Sequence, residues 1–111
     1  AREVNGVKVI TAVLPIEPAA AKDLMFKLRQ AVTENMLAVV GTVSHDKPML
    51  NVAMSDNLVK DHSLNAGQMV REAAKLIKGG GGGQPHFAQA GGKDKDGLSA
   101  AVDKVVEMAQ L

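Results

Sequence analysis

The sequence predicts an α/β (α+β) domain in which a mixed β-sheet carries three main helices. Valine-rich runs of strand length alternate along the chain with segments whose apolar residues recur every three or four positions. A length of 111 residues with 46% hydrophobic content suits one domain around one core. We therefore expect residues 1–111 to form a single globular domain, and the lack of an initiating Met predicts that it is excised from a longer chain.

The first half of the chain predicts the order strand, helix, strand, strand. Pro15 ends the first strand, Pro18 suits the first turn of a helix, and Asp46-Lys47-Pro48 predicts the turn of a hairpin. The apolar residues that recur with helical spacing in this helix are Leu24, Leu28, Ala31 and Val32. The predicted segments are a strand over 7–14, a helix over about 18–34, and strands over 36–44 and 49–55.

The second half predicts helix, glycine loop, strand and helix. Asn65 with Gln68 three residues later resembles a capping box at the start of a helix. Gly79 is expected to end that helix as its left-handed C-cap. The apolar faces of the two helices are Met69, Ala73, Leu76 and Ile77 in one, and Leu98, Val102, Val105, Val106 and Ala109 in the other. We also expect about one helical turn within 56–64 and a short strand over 87–90. The full order is β-α-β-β-α-Gly loop-β-α.

Five consecutive glycines, Gly79 to Gly83, are the most informative local feature. Glycine loses more backbone entropy on folding than any other residue, so such a run needs a reason. The run contains no Ser and is followed at once by Gln84-Pro85-His86-Phe87, which favours an ordered functional loop over a flexible linker. Its N–H groups could form an anion-binding nest. The alternative is a purely structural role as a cap that packs tightly against a strand.

Two common nucleotide-binding motifs do not fit this glycine run. A P-loop requires Lys-Ser or Lys-Thr after its glycines, and the dinucleotide fingerprint requires a different glycine spacing. Both motifs also place the loop before a helix, where the positive end of the helix dipole meets the phosphate. Here a helix precedes the loop and ends with negative polarity.

The charge pattern indicates an anionic ligand bound with modest strength. The net charge is only +1, but the segment 71–95 contains five cations and two acids. The cations are Arg71, Lys75, Lys78, Lys93 and Lys95. Phe26 and Phe87 are the only aromatic residues, so a base-stacking platform is not expected from composition.

No arrangement of residues predicts catalysis by this chain. Cysteine is absent, which excludes disulfides and thiolate zinc sites. Ser44-His45-Asp46 is interpreted as a solvated strand end, and Asp61-His62 as a polar turn, because catalytic triads converge in space and do not lie adjacent in sequence. For His86, ligand contact and loop structure stay open. No apolar run reaches the ~18 residues of a membrane span, so we expect no membrane partner. The absence of cysteine fits an expected cytoplasmic location.

The segment 65–92 resembles the C-terminal domain of alanyl-tRNA synthetase, in its globular part, within the glycine-rich family of DHH-associated domains. The shared pattern is a helix of the type Ala-Gly-x-Leu/Met-Val-x-x-x-Ala-x-x-Ile, a glycine-rich loop, and x-Pro-x-x-Ala-Gln-x-Gly-Gly. This chain carries Ala66-Gly67-Gln68-Met69-Val70-Arg71-Glu72-Ala73-Ala74-Lys75-Leu76-Ile77, then Gly79 to Gly83, then Gln84-Pro85-His86-Phe87-Ala88-Gln89-Ala90-Gly91-Gly92.

The resemblance implies an accessory domain that is not catalytic alone. In that family the domain contacts the elbow of tRNA-Ala and helps place one tRNA for aminoacylation and editing. The implied partners are tRNA-Ala, the other domains of the same synthetase chain and, for some members, a second copy in a homodimer. No cofactor is implied for this fragment, whereas ATP, magnesium and zinc are implied for the parent enzyme outside it.

The residues expected to contact tRNA combine the implied loop with the cations beside it. They are Arg71, Lys75, Lys78, Gly79, Gly80, Gly81, Gly82, Gly83, Gln84, His86, Gln89 and Lys93. Two other functions stay open. One is the nucleotide-binding domain of a DHH-type phosphoesterase, where a Gly-Gly-Gly-His motif holds substrate; here Gln84 and Pro85 separate Gly83 from His86. The other is an interaction module whose loop only packs.

Overall fold

Six strands and four α-helices make up the described part of the structure, a computed structural model that describes residues 2–4, 6–32, 34–61 and 64–109. The strands are β1 Arg2–Val4, β2 Val7–Leu14, β3 Met36–Ser44, β4 Lys47–Met54, β5 Gly80–Gln84 and β6 Phe87–Gly91. The helices are α1 Pro18–Ala31, α2 Asp56–Asp61, α3 Ala66–Ala73 and α4 Leu98–Met108.

The strands form one mixed sheet in the order β1-β2-β3-β4-β6-β5. β2 and β3 are parallel because α1 carries the chain back across the sheet between them, and the other neighbours are antiparallel. This confirms the predicted mixed sheet with three main helices. The structure adds the short strand β1 to the predicted order, and the helical turn expected within 56–64 is the short helix α2.

The sheet is covered on both faces, since α1 packs on one and α3 and α4 pack on the other. Alternate residues of β3 serve the two layers: Leu37 and Val39 face α3 and α4, whereas Ala38 and Val40 face α1. The predicted face of α1 was partly wrong. Its fully buried residues are Ala21 and Met25, while Leu24 and Leu28 are half-buried and Ala31 is exposed.

The turn between β3 and β4 begins one residue earlier than predicted, and β4 begins two residues earlier. His45 and Asp46 have φ of 54° and 62°, a pair of positive values that two-residue hairpins require to match the strand twist. Lys47 and Pro48, predicted to be turn residues, therefore belong to β4, where Lys47 pairs with Ser44. This moves Lys47 from a loop onto the sheet.

The predicted glycine loop is a β-strand. Gly80 to Gly83 form most of β5, which pairs with β6 through the turn Pro85–His86 and leaves β5 at the sheet edge. Pairing with a neighbouring strand overrides the low strand preference of glycine. The run is ordered as predicted, but it is not a loop.

The predicted C-cap of α3 was also wrong. α3 ends at Ala73 and continues as a 3-10 turn over Ala74–Ile77, and the left-handed residue after it is Lys78, with φ of 55°. The predicted N-cap is confirmed, because the Asn65 side chain accepts a hydrogen bond from the Gln68 backbone N–H at 3.1 Å. In the final helix, Leu98, Val102 and Val105 are buried as predicted.

Candidate functional site

A groove opens at the end of the sheet where the β3–β4 hairpin, β6 and the segment before β5 meet. Its volume is ≈ 570 Å³. We call it the lysine groove, and its lining residues are Thr42, Ser44, His45, Lys47, Pro48, Met49, Lys78, Gly79, Gly91, Gly92 and Lys93. Thr42 lies two positions beyond Val40 and four beyond Ala38 on β3, so the three residues share one face of the sheet. Ala38 and Val40 pack under α1, and the groove therefore lies on the α1 face.

The fully charged side chains that line the lysine groove are all cationic. Lys47, Lys78 and Lys93 are exposed, and none of the eleven lining residues is acidic. Among the ion pairs of the described residues, none engages these three amines. Three free ammonium groups around one concave surface create a local positive potential that the net charge of +1 does not reveal.

Glycines make the backbone of the groove accessible. Gly80 and Gly91 are paired across β5 and β6, and a Cβ on either residue would meet nothing within 4 Å. By contrast, a Cβ on Gly79 would collide with the carbonyl oxygen of Gly91. The bare backbone at this end of the sheet is therefore tightly packed at Gly79 and open at Gly80 and Gly91.

The structure brings together part of the predicted site. Lys78, Gly79 and Lys93, three of the residues expected to contact an anionic ligand, line the lysine groove. Lys93 is held there because its backbone N–H donates to the carbonyl oxygen of Ile77 at 2.8 Å. The left-handed conformation of Lys78 starts the turn from the 3-10 segment into β5.

Two predicted cations lie outside the groove. Arg71, on α3, lies beside the middle of β5, where a Cβ on Gly82 would come within 3.8 Å of its Nε. Lys75 pairs with Glu72 of the same helical turn at 3.2 Å. These side chains belong to the outer surface of α3 and β5, so the predicted cations form two groups.

The remaining predicted residues lie along the hairpin away from the groove. Gln84 and His86 are at its turn, and the backbone oxygen of His86 accepts from the Met54 N–H at 3.0 Å. Gln89 is half-buried, and its Nε2 donates to Asn51 Oδ1 at 2.7 Å. Asn51 in turn donates to the Val40 carbonyl at 2.9 Å, which ties Gln89 into the sheet.

Sequence reasoning missed Lys47 and His45 as groove residues. Both lie at the β3–β4 hairpin, over thirty positions from Lys78, and the hairpin was interpreted only as a solvated end. Strand order brings them to the groove, because Met49 of β4 pairs with Gly91 of β6. The only local signal for a site here was Lys47 at a predicted turn, and a lysine at a turn is common on protein surfaces.

An exposed ion pair stands beside the groove. Lys95 Nζ donates to Asp46 Oδ1 at 2.8 Å. This hydrogen bond and the lysine charge lower the pKa of Asp46, and the same contact raises the pKa of Lys95. The carboxylate of Asp46 is thus directed to Lys95, which argues against a catalytic triad at Ser44-His45-Asp46.

The described residues show two further results. No group of three or more His, Cys, Asp or Glu side chains among them is arranged to hold a metal ion. None of the helices in these ranges is long and apolar enough to cross a membrane. His62, predicted to lie in a polar turn, is outside the described residues.

Comparison with known proteins gives consistent relatives. The alanine–tRNA ligase of Bacteroides fragilis is 58% identical over 110 residues, which are 99% of this chain and 12% of that enzyme. The alanine–tRNA ligase of Bacteroides thetaiotaomicron is 54% identical over the same coverage of both chains. The chain thus spans about 12% of the length of these relatives.

A solved structure matches the whole fold. The C-Ala domain of alanyl-tRNA synthetase from Aquifex aeolicus has a TM-score of 0.84 and 28% identity, with 99% of this chain and 97% of that chain covered. The resemblance that the glycine-rich segment predicted is therefore confirmed. The DHHA1 domain matches residues 6–110, nearly the whole chain. This chain belongs to the DHHA1 domain family.

Proposed function

We propose that this chain is the accessory C-terminal domain of an alanine–tRNA ligase and that it binds the elbow of tRNA-Ala through the lysine groove. The observation that carries the proposal is the groove, which is lined by three lysines and no acidic residue. It lies in a chain that is similar to one segment of the alanine–tRNA ligases and to a C-Ala domain. Its partners are then tRNA-Ala and the other domains of the same chain, in the cytoplasm. The domain places the tRNA and performs no chemistry of its own.

The three lysines bind phosphates and do not read bases. Lysine is a compact, flexible point charge that suits phosphate oxygens from many directions. Lys47 comes from β4, Lys78 from the segment before β5 and Lys93 from the segment after β6, so three separate segments each supply one ammonium group to the groove. Folded RNA is recognised largely through its backbone and shape, which matches this arrangement.

Bare backbone allows the RNA to come close to the sheet. Gly91 lines the groove, its strand partner Gly80 lies next to it, and a Cβ on either residue would meet nothing within 4 Å. A phosphate can therefore approach the peptide groups there more closely than it could over ordinary residues. Glycine at these two positions supplies access, while the surrounding lysines supply charge.

A salt titration tests the proposal directly. Affinity of the 111-residue chain for tRNA-Ala is measured between low and moderate salt, with an acceptor minihelix as competitor. Three lysine–phosphate contacts predict a log–log slope of about −2 to −3. Lys47→Gln, Lys78→Gln and Lys93→Gln should each weaken binding severalfold and reduce the slope by about 1.

The matched control is Lys104→Gln, an exposed lysine on α4 at the opposite face of the sheet. It should leave affinity and slope unchanged. Equal losses in all four variants would mean attraction by net charge alone and would contradict a groove site. Binding to the minihelix as tightly as to whole tRNA would contradict elbow recognition.

The phosphoesterase-type alternative predicts a different result in the same assay. It requires free mono- or dinucleotides to bind and to compete with tRNA. The turn Pro85–His86 that joins β5 and β6 lies at the other end of the hairpin from the lysines. Nucleotide binding that persists in the three lysine variants would therefore favour that alternative.

A further inference from the structure

The fold brings the two aromatic side chains of the chain together on its surface. Phe26 of α1 and Phe87 of β6 have ring centroids 5.0 Å apart, with the rings inclined by 42°. Phe26 is 39% exposed, and the Nζ of Lys22 lies 5.8 Å from its ring centre. The low aromatic content predicted no base-stacking platform, yet the fold places both rings and a cation together on one surface.

This aromatic pair lies on the same sheet face as the lysine groove. Phe87, Gln89 and Gly91 alternate along β6 and so share one face, and Gly91 lines the groove. Gly91 follows Phe87 by four positions of extended strand, a distance of about 13 Å. One short stretch of RNA can therefore contact the rings and the lysines together.

Phe87 fixes the position of the outer ring. It packs against the apolar cluster between α1 and the sheet, which includes Met25 and Ala53. Phe26 rests on Phe87 outside that cluster, so its orientation is set before any ligand arrives. Preorganised aromatic rings bind at low entropic cost because few torsions are left to freeze.

We propose that Phe26, supported by Phe87 and flanked by Lys22, is a stacking platform for one unstacked base of the RNA whose phosphates occupy the lysine groove. This inference rests on the proposed function. A base stacks on an aromatic face whatever its identity, since every base has a π-face. Lys22 is a long exposed side chain, so its ammonium can leave the ring and contact the phosphate of the same nucleotide.

The test exploits the absence of Trp and Tyr from the sequence. Phe26→Trp introduces a single indole, and its fluorescence should be quenched when tRNA-Ala binds. Phe26→Leu keeps apolar volume and removes the ring, so it should weaken binding roughly fivefold or more while the salt slope stays unchanged. Phe26→Trp should restore the affinity. Val13→Ala, at an exposed apolar residue of β2 on the other sheet face, is the control.

The outcomes separate this inference from the proposed function. If the lysine variants weaken binding but Phe26→Leu binds like the unchanged chain and the indole is not quenched, the platform is overturned and the groove stands. Loss of affinity in Val13→Ala equal to that in Phe26→Leu would also overturn it. If the unchanged chain fails to bind tRNA at low salt, the proposed function fails, and the platform fails with it. Thermal melting of each variant confirms that it is folded.

Discussion

At the residue scale, neighbouring glycines near β5 have opposite surroundings. A Cβ on Gly79 would meet the carbonyl oxygen of Gly91, and one on Gly81 would lie only 2.5 Å from the Cα of Ala90. A Cβ on Gly80 would meet nothing within 4 Å. Residues adjacent in sequence thus differ in role, since one side of the strand is packed and the other is open.

We expect Gly79→Ala to lower the free energy of unfolding by about 2 kcal/mol or more, because backbone atoms cannot move aside as a side chain can. Gly80→Ala should change it by no more than about 0.5 kcal/mol. Urea denaturation of both variants measures the difference. Equal stability of the two variants would show that the hairpin can shift to accommodate a methyl group at Gly79.

At the element scale, α3 packs against β5 and supports the end of the sheet where the lysine groove lies. The helix begins at the β5–β6 turn, where the Ala66 N–H donates to the Pro85 carbonyl at 2.9 Å. Its buried face includes Met69, Val70 and Ala73, and it runs back along the glycine strand toward the groove. A strand of glycines has few side chains to pack, so this helix supplies much of its support.

Asn65→Ala should destabilise the chain by about 1 kcal/mol, the usual cost of removing an N-cap side chain. The Gln68 N–H would lose its acceptor at the start of α3. Gln68→Ala is the control, because only the backbone of Gln68 takes part in that hydrogen bond. The measurement is the midpoint of urea unfolding, and a control variant as unstable as Asn65→Ala would contradict the capping role.

At the scale of the whole molecule, a contact between distant segments borders the groove. Asp46 and Lys95 are 49 positions apart and join the β3–β4 hairpin to the 3-10 turn Lys95–Gly97 that precedes α4. Both side chains are at least half exposed, so the pair contributes little to stability. The pair gives a cationic partner to the carboxylate of Asp46, which lies in sequence between the groove residues His45 and Lys47.

The stability lost in Lys95→Gln should depend on pH. Because the pKa of Asp46 is lowered in the folded state, the stabilisation is fully present above the ordinary aspartate pKa of about 3.9. It disappears as the pH falls through the lower folded-state value, where the carboxylate takes up a proton. Urea midpoints of the unchanged chain and the variant should differ slightly at neutral pH and converge in acid. A difference that persists in acid would indicate packing by the lysine stem.

Much of the fold could be predicted from local patterns. The bounds of β2 and β3 agree with the predicted strands, and the N-cap at Asn65 was found from its spacing to Gln68. Such features depend on residues a few positions apart, which hydrophobic periodicity and capping chemistry describe directly. The family resemblance came likewise from one continuous glycine-rich segment.

The candidate site could be predicted only in part. Lys78, Gly79 and Lys93 were expected at an anion site and line the groove, whereas Lys47 was not expected there. Arg71 and Lys75 were grouped with them because they are close in sequence, yet neither lines the groove. Arg71 lies on α3 and Lys75 on the 3-10 turn that follows it. Proximity along the chain is a poor guide to a site assembled from several strands.

The sequence by itself determined most of the helices and strands, the family of the chain and the need for order in the glycine run. Only the tertiary structure decided that this run is an edge strand, that three distant lysines share one groove, and that the two phenylalanines meet. The physical reason is that strand pairing and packing join residues far apart in sequence. The free energy of strand pairing and packing depends on the whole sheet, whereas helix caps, turns and strand periodicity depend on neighbouring residues.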